Sequence, residues 1–143
     1  MNLSESLSSL FINLNSLYRK NIKIENLTFP QILILYIIPE QGEQLSKLSE
    51  KIGVDISTMS RAIKVLENKN YVKRGYFEAD KRVIRVIPLP KSKKIKAKIL
   101  YKFNKVNSLI EKHKSKKELY KIEQDLHELN WIILKSLIKK INI

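Results

Sequence analysis

On either side of Asn70 the apolar residues follow different periods, and that switch limits the fold more than any other feature of the chain. Before it they recur at intervals of three and four, as helices that bury one face require. After it, Tyr71–Arg74 and Val83–Ile87 are β-branched or aromatic runs, separated by eight residues that include Gly75, Ala79 and Asp80. They predict a two-stranded hairpin, or wing. Pro88 and Pro90 close it, because proline cannot donate to a sheet ladder. From Ser92 the helical period returns. Only three glycines and four prolines interrupt 143 residues, so the fold class is mainly α and strands fill a small part.

The helices before the switch are short and carry clear boundaries. Thr28 and Gln31 form a capping box with Pro30 in the first turn, and Pro39 ends that helix ahead of Gly42. Leu45, Leu48 and Ile52 mark about two turns, closed by Gly53 where a left-handed residue is needed. Asp55 then serves as an N-cap. Behind it Ile56, Met59, Ile63 and Leu66 repeat on one side, while Ser57, Thr58, Ser60, Arg61 and Lys64 occupy the other. Two such helices three residues apart read as a helix-turn-helix, so the whole predicts a winged helix-turn-helix.

The ends of the chain have a different character. Leu3, Leu7, Leu10, Leu14 and Leu17 alternate spacings of four and three, a seam suited to another helix. The last stretch, WIILKSLIKKINI, is apolar on nearly every side and more than a small domain can bury alone. Both predict dimerisation, with Trp131, Ile133, Leu137 and Ile141 as the C-terminal contribution. The expected division is 1–27, an N-terminal dimerisation helix; 28–90, the winged lobe; and 91–143, C-terminal dimerisation helices. No apolar stretch approaches a membrane span and no secretory segment is evident, so the expectation is a cytoplasmic protein without a membrane partner.

Charge is concentrated. The net charge is +14, and residues 44–98 hold fifteen basic and five acidic side chains, net +10. A uniform coding bias toward lysine would not cluster it on the helix-turn-helix, the wing and the next helix start, so the pattern points to a polyanionic partner, double-stranded DNA first. Lys91, Lys93 and Lys94 crowd a helix N-terminus where the dipole is already positive, and an external phosphate would relieve that repulsion. With Lys47 they are candidate phosphate contacts. Arg61 has Ser57, Thr58, Lys64 and Val65 at helical neighbour positions, so no acid of its own helix can pair with it.

Enzymatic chemistry has no foothold: cysteine is absent, and there is no Gly-rich phosphate loop, no HExxH spacing and no converging carboxylates. His113 and His127 are fourteen residues apart with Glu111 and Glu128 nearby, a pattern too sparse to predict a metal; no cofactor is expected.

The stretch LSKLSEKIGVDISTMSRAIKVLENKNYVKRGYFEADKRVIRV resembles the MarR family of winged-helix transcription regulators. The resemblance rests on Leu48, Gly53, Asp55, Ser57, Thr58, Arg61, Leu66 and Glu67 in the helix-turn-helix, on Val72 and Arg74 at the first wing strand, and on Asp80-Lys81-Arg82 in the wing. It covers residues 28–90. It implies a homodimer with interlocked terminal helices, inserting two lobes into successive major grooves. By position, Ser57, Thr58, Ser60, Arg61 and Lys64 would face the major groove. Arg82 would enter the minor groove with Asp80 as its support, and Arg74 and Lys81 would be further wing contacts. Asn70 stands where glycine is usual, which asparagine tolerates because it accepts the left-handed conformation. Pro88-Leu89-Pro90-Lys91-Ser92 departs from the family pattern and leaves the orientation of the fifth helix open.

The resemblance further implies a ligand-responsive repressor with a small aromatic or anionic effector. The alternatives are a winged-helix protein-interaction module and a nonspecific nucleoid-type DNA binder. Affinity for a defined palindrome over random DNA separates the three.

Overall fold

A computed structural model describes residues 1–139 of the chain except Glu78; the side chains of Phe77 and Lys81 also fall outside the description, as does Ile141 of the expected dimerisation set. Helix α1 (Leu3–Asn21) starts at a capping box between Asn2 and Glu5. Helix α2 (Phe29–Ile37) starts at the box of Thr28 and Gln31. The orphan N–H groups of each first turn are thus satisfied locally, which fixes where both helices begin. Strand β1 (Glu43–Gln44) runs directly into α3 (Leu45–Ile52), which Gly53 terminates at φ 79°. Helix α4 (Ile56–Asn68) follows with Asp55 as N-cap.

Asn70 takes φ 62°, the left-handed turn expected of it. Strands β2 (Val72–Phe77) and β3 (Asp80–Pro88) form the hairpin. It is longer than the apolar runs suggest: the ladder continues through Gly75 opposite Arg85 and Tyr76 opposite Ile84, with a register shift between Tyr76 and Phe77. Gly75 lies inside this strand, where a Cβ would come to 3.2 Å from the tip of the Ile87 side chain.

The sheet has a third strand that the sequence pattern does not reveal. β1 pairs antiparallel with β3, Glu43 opposite Val86 and Gln44 opposite Arg85, giving the order β1-β3-β2. Two polar residues carry no alternation to read. Gly42 makes the pairing feasible: it holds φ 84°, and a Cβ would lie 2.6 Å from the Val86 carbonyl oxygen. Arg85 secures the turn, its Nε and Nη2 donating to the Gln41 carbonyl at 3.1 and 2.8 Å.

Helix α5 (Pro90–Glu111) begins at Pro90, two residues before the return of the apolar period, since proline suits a first turn. Helix α6 (Lys116–Ile138) begins at a capping box of Ser115 and Glu118.

Two compact units result, residues 1–106 and 107–143. In the first, Ile32, Leu35, Leu48, Met59, Ile63, Leu66, Val86 and Ile99 are fully buried, and Ile22, Ile24 and Val106 join the same cluster. The core therefore extends beyond residues 28–90 at both ends. Phe103 of α5 meets Tyr18 edge-on at 5.0 Å and stacks on Tyr36 at 4.9 Å, tying α1 and α2 to it. Ile56 departs from its expected place on the buried stripe: at the first helical position it lies outside the packed turns and is 56% exposed. In the second unit α6 buries no residue. No helix among the described residues is long and apolar enough to cross a membrane.

Candidate nucleic-acid interface

Burial of Met59, Ile63 and Leu66 turns the other side of α4 outward. Ser57, Thr58, Arg61 and Lys64 are exposed there, and Ser60 is half-buried. The first turn is rigidly built. The Asp55 carboxylate accepts from the Thr58 backbone N–H at 2.6 Å and from the Ser57 hydroxyl at 2.8 Å. These bonds hold the Asp55 carboxyl down at about 2, the Thr58 backbone N–H contributing most and the Thr58 and Ser57 hydroxyls next. Arg61 Nη2 donates to the Thr58 hydroxyl oxygen at 3.4 Å, a loose contact that leaves the guanidinium forward and solvated. The face therefore offers hydroxyls, a planar five-donor fork and an ammonium, which suit base edges and phosphates.

The wing presents a second cation. Asp80 accepts from the Arg82 backbone N–H at 3.0 Å and from its Nε at 3.2 Å. The Arg82 side chain is 92% exposed and that of Asp80 41%. The same bonds, backbone first, lower the Asp80 carboxyl from its ordinary range. One carboxylate oxygen thus orients the guanidinium root and leaves its outer nitrogens to solvent.

Two expected contacts are placed differently. Arg74 does not point outward as a wing contact. Its side chain is 24% exposed, and its Nη2 donates to the Ser60 carbonyl at 2.7 Å, because residue 74 lies on the sheet face that packs on α4. Lys91 is likewise engaged: its Nζ donates to the Lys69 carbonyl at 2.8 Å and lies 4.4 Å from the centre of the Tyr71 ring. It closes the C-terminal end of α4, where a cation is favourable, instead of standing ready for phosphate. Lys47, Lys93 and Lys94 are exposed.

Other basic residues have the same backbone-tying role as Lys91. Lys96 donates to the Ile38 carbonyl at 2.8 Å, and Lys69 to the carbonyl of Asn26. Part of the positive charge around the lobe is therefore structural, which no count of lysines distinguishes. Tyr76, opposite Ile84 on the wing, is exposed and was reachable only through the pairing register.

A helix-turn-helix followed by a hairpin, with one polar helix face and a braced wing arginine, defines a winged helix-turn-helix protein. Residues 27–84 match the sequence model of the MarR family. The chain is similar to the HTH-type transcriptional regulator MgrA of Staphylococcus aureus, 31% identical over 90 residues, which are 62% of this chain and 61% of the relative. It is 26% identical over 83 residues to the HTH-type transcriptional regulator TtmR of Methylorubrum extorquens, spanning 57% of this chain and 43% of that protein. The matches thus cover less than two thirds of either relative.

Among solved structures, a MarR protein from Peptoclostridium difficile superposes with a TM-score of 0.80 at 24% identity, covering 97% of this chain and 92% of that one. FabT of Streptococcus pneumoniae, solved in complex with DNA, superposes with a TM-score of 0.75 at 20% identity, covering 93% and 96%. At these identities the likeness is one of fold.

Proposed function

We propose that this chain is a sequence-specific double-stranded DNA-binding transcription regulator, acting as a homodimer on a pseudo-palindromic site. The observation that carries the reading is the exposed polar face of α4 beside the wing, with Arg61 and Lys64 on one element and Arg82 on the other. Ser57, Thr58, Arg61 and Lys64 would enter the major groove, Arg82 the minor groove, and Lys47, Lys93 and Lys94 would meet phosphates. Residues 28–90 form the reading lobe, residues 1–27 and 91–143 the dimerisation parts, and the protein is a cytoplasmic, non-enzymatic repressor.

A cavity of about 250 Å³ lined by Ile38, Pro88, Ala97 and Leu100, with Ser92, Lys93, Lys96 and Glu40 at its polar side, supports a small aromatic or anionic effector. Its lining joins the end of β3 to the start of α5, so an occupant would bear on the wing root.

Selection of bound duplexes from a randomised pool tests the reading. A pseudo-palindrome with half-site centres about 10 bp apart is the expected outcome. Equal retention of all sequences would leave a nonspecific binder, and no retention an interaction module. Arg61→Ala should then weaken the selected site by about 1–3 kcal/mol and random DNA less.

A further inference from the structure

Arg74 leaves β2 and reaches two points on α4 that are seven residues, or about two turns, apart. Its backbone N–H donates to Glu67 Oε2 at 3.0 Å, and its Nη2 donates to the Ser60 carbonyl at 2.7 Å. Between them Nε is buried without a hydrogen-bond partner, 4.0 Å from Glu67 Oε1. Ser60 immediately precedes Arg61 and lies one turn before Lys64, so the carbonyl being held belongs to the turn that presents both cations. Arg74 is thus anchored at both ends of a helical stretch, by its backbone N–H at Glu67 and by its guanidinium at Ser60, and two such points restrain rotation of that helix about its axis. A lysine keeps the backbone bond, but its single ammonium cannot both hold the Ser60 carbonyl and face Glu67 Oε1 as the Nη2 and Nε of arginine do.

The geometry points to Arg74 as a positioning residue that sets the angle between the recognition helix and the wing, acting on DNA specificity without touching DNA. This inference rests on the DNA-binding reading above. β2 and β3 are one continuous ladder from Val72 opposite Pro88 to Tyr76 opposite Ile84, so a strut at Arg74 transmits to the strand that begins at Asp80 and carries Arg82. Nε faces Glu67 Oε1 at 4.0 Å without a hydrogen bond, so the strut is not fully closed at that end. A small approach of Glu67 would complete it, and that approach moves α4 and the wing together. Major-groove and minor-groove contacts would then be made in one step, at a fixed separation that only some sequences accommodate.

The test compares Arg74→Lys with the parent on the palindrome the parent selects and on a random duplex, each at several salt concentrations. The palindrome affinity should fall about tenfold, as interactions remote from a ligand can cause. The random-duplex affinity should not change, and the plots of log affinity against log salt should stay parallel to the parent's. A slope reduced by about one on both duplexes would mean a phosphate contact and overturn the inference while leaving the regulator reading intact. In a double-mutant cycle with Arg82→Ala, losses should be less than additive, because a misplaced wing has less to lose; strict additivity also overturns it.

Without DNA, amide exchange at Ser60–Lys64 and along β2 should quicken in Arg74→Lys while α2 stays protected, and unchanged exchange refutes the strut. If Arg74→Lys does not fold, Glu67→Gln serves: charge removal alone would tighten every duplex, whereas a loosened strut weakens the palindrome selectively. Should the parent select no palindrome, the regulator reading fails and this inference with it.

Discussion

Two glycines in the same left-handed conformation illustrate how much a single residue's surroundings decide. Gly53 closes α3 at φ 79° with nothing within 4 Å of where a Cβ would stand, whereas Gly42 at φ 84° faces the Val86 carbonyl at 2.6 Å. Gly53→Ala should therefore cost about 1 kcal/mol, the strain of the backbone alone. Gly42→Ala must in addition displace a ladder strand and should cost about 2–4 kcal/mol, read as paired shifts in chemical-denaturation midpoint. The helix-closing role of Gly53 was legible because caps are local; that of Gly42 was not, since its neighbour lies 44 positions away in the chain.

Asp55 gives a pH-dependent counterpart. Its folded carboxyl titrates at about 2 against an ordinary 3.8, so its charge adds stability above about pH 3.8 that is lost as pH falls through about 2. Asparagine caps a helix as well as aspartate does. The melting-temperature difference between the parent and Asp55→Asn should accordingly shrink between pH 5 and pH 2. A constant difference would remove the charge from the explanation.

At the scale of elements, α2, α3 and α4 could be read from sequence because their caps and apolar spacing lie within each segment. The sheet could not be read fully. β1 has no pattern, and the hairpin's true length follows from partners on the opposite strand. The same division runs through the candidate site. Ser57, Thr58, Arg61 and Lys64 follow from which side of α4 is apolar, while the inward turn of Arg74 depends on the face of β2 that meets α4. The wing makes a sharp prediction of its own.

Asp80 braces Arg82 through one oxygen, so Arg82→Ala should weaken binding most where the palindrome is flanked by A·T pairs, whose narrow minor groove attracts arginine. Asp80→Ala should give a smaller loss of the same flank dependence. Charge alone predicts tighter binding on every flank once the acid is gone. Isotherms on both flank types at one salt concentration separate these outcomes, and uniform tightening would exclude a braced minor-groove arginine.

The whole molecule leaves an apolar surface that one copy does not cover. No residue of α1 or α6 is buried. On α1, Leu3 and Leu10 of the leucine seam are exposed, as is Phe11 beside them, whereas Leu17 packs on the core. On α6, Trp131 is 60% and Leu137 68% exposed, with Ile133 also open. Between the end of α5 and α6, a cavity of about 600 Å³ is lined by Ile110, Leu119, Ile122 and Leu126, wide enough for side chains of another helix.

A monomer rarely keeps apolar faces of this kind in water, and a two-fold partner presenting the same faces would cover them. Sedimentation at micromolar concentration should thus give about twice the 16.8 kDa chain mass. Trp131→Lys places a charge at the centre of the exposed α6 face and should shift the equilibrium to monomer. The core of residues 1–106 does not include α6, so the lobe should keep its own cooperative unfolding in that variant. Because a monomer reads one half-site, its affinity for the palindrome should fall toward its affinity for an isolated half-site. Retention of full palindrome affinity by a monomeric Trp131→Lys would show that dimerisation and operator reading are uncoupled, and would send the search for the paired lobe elsewhere on the surface.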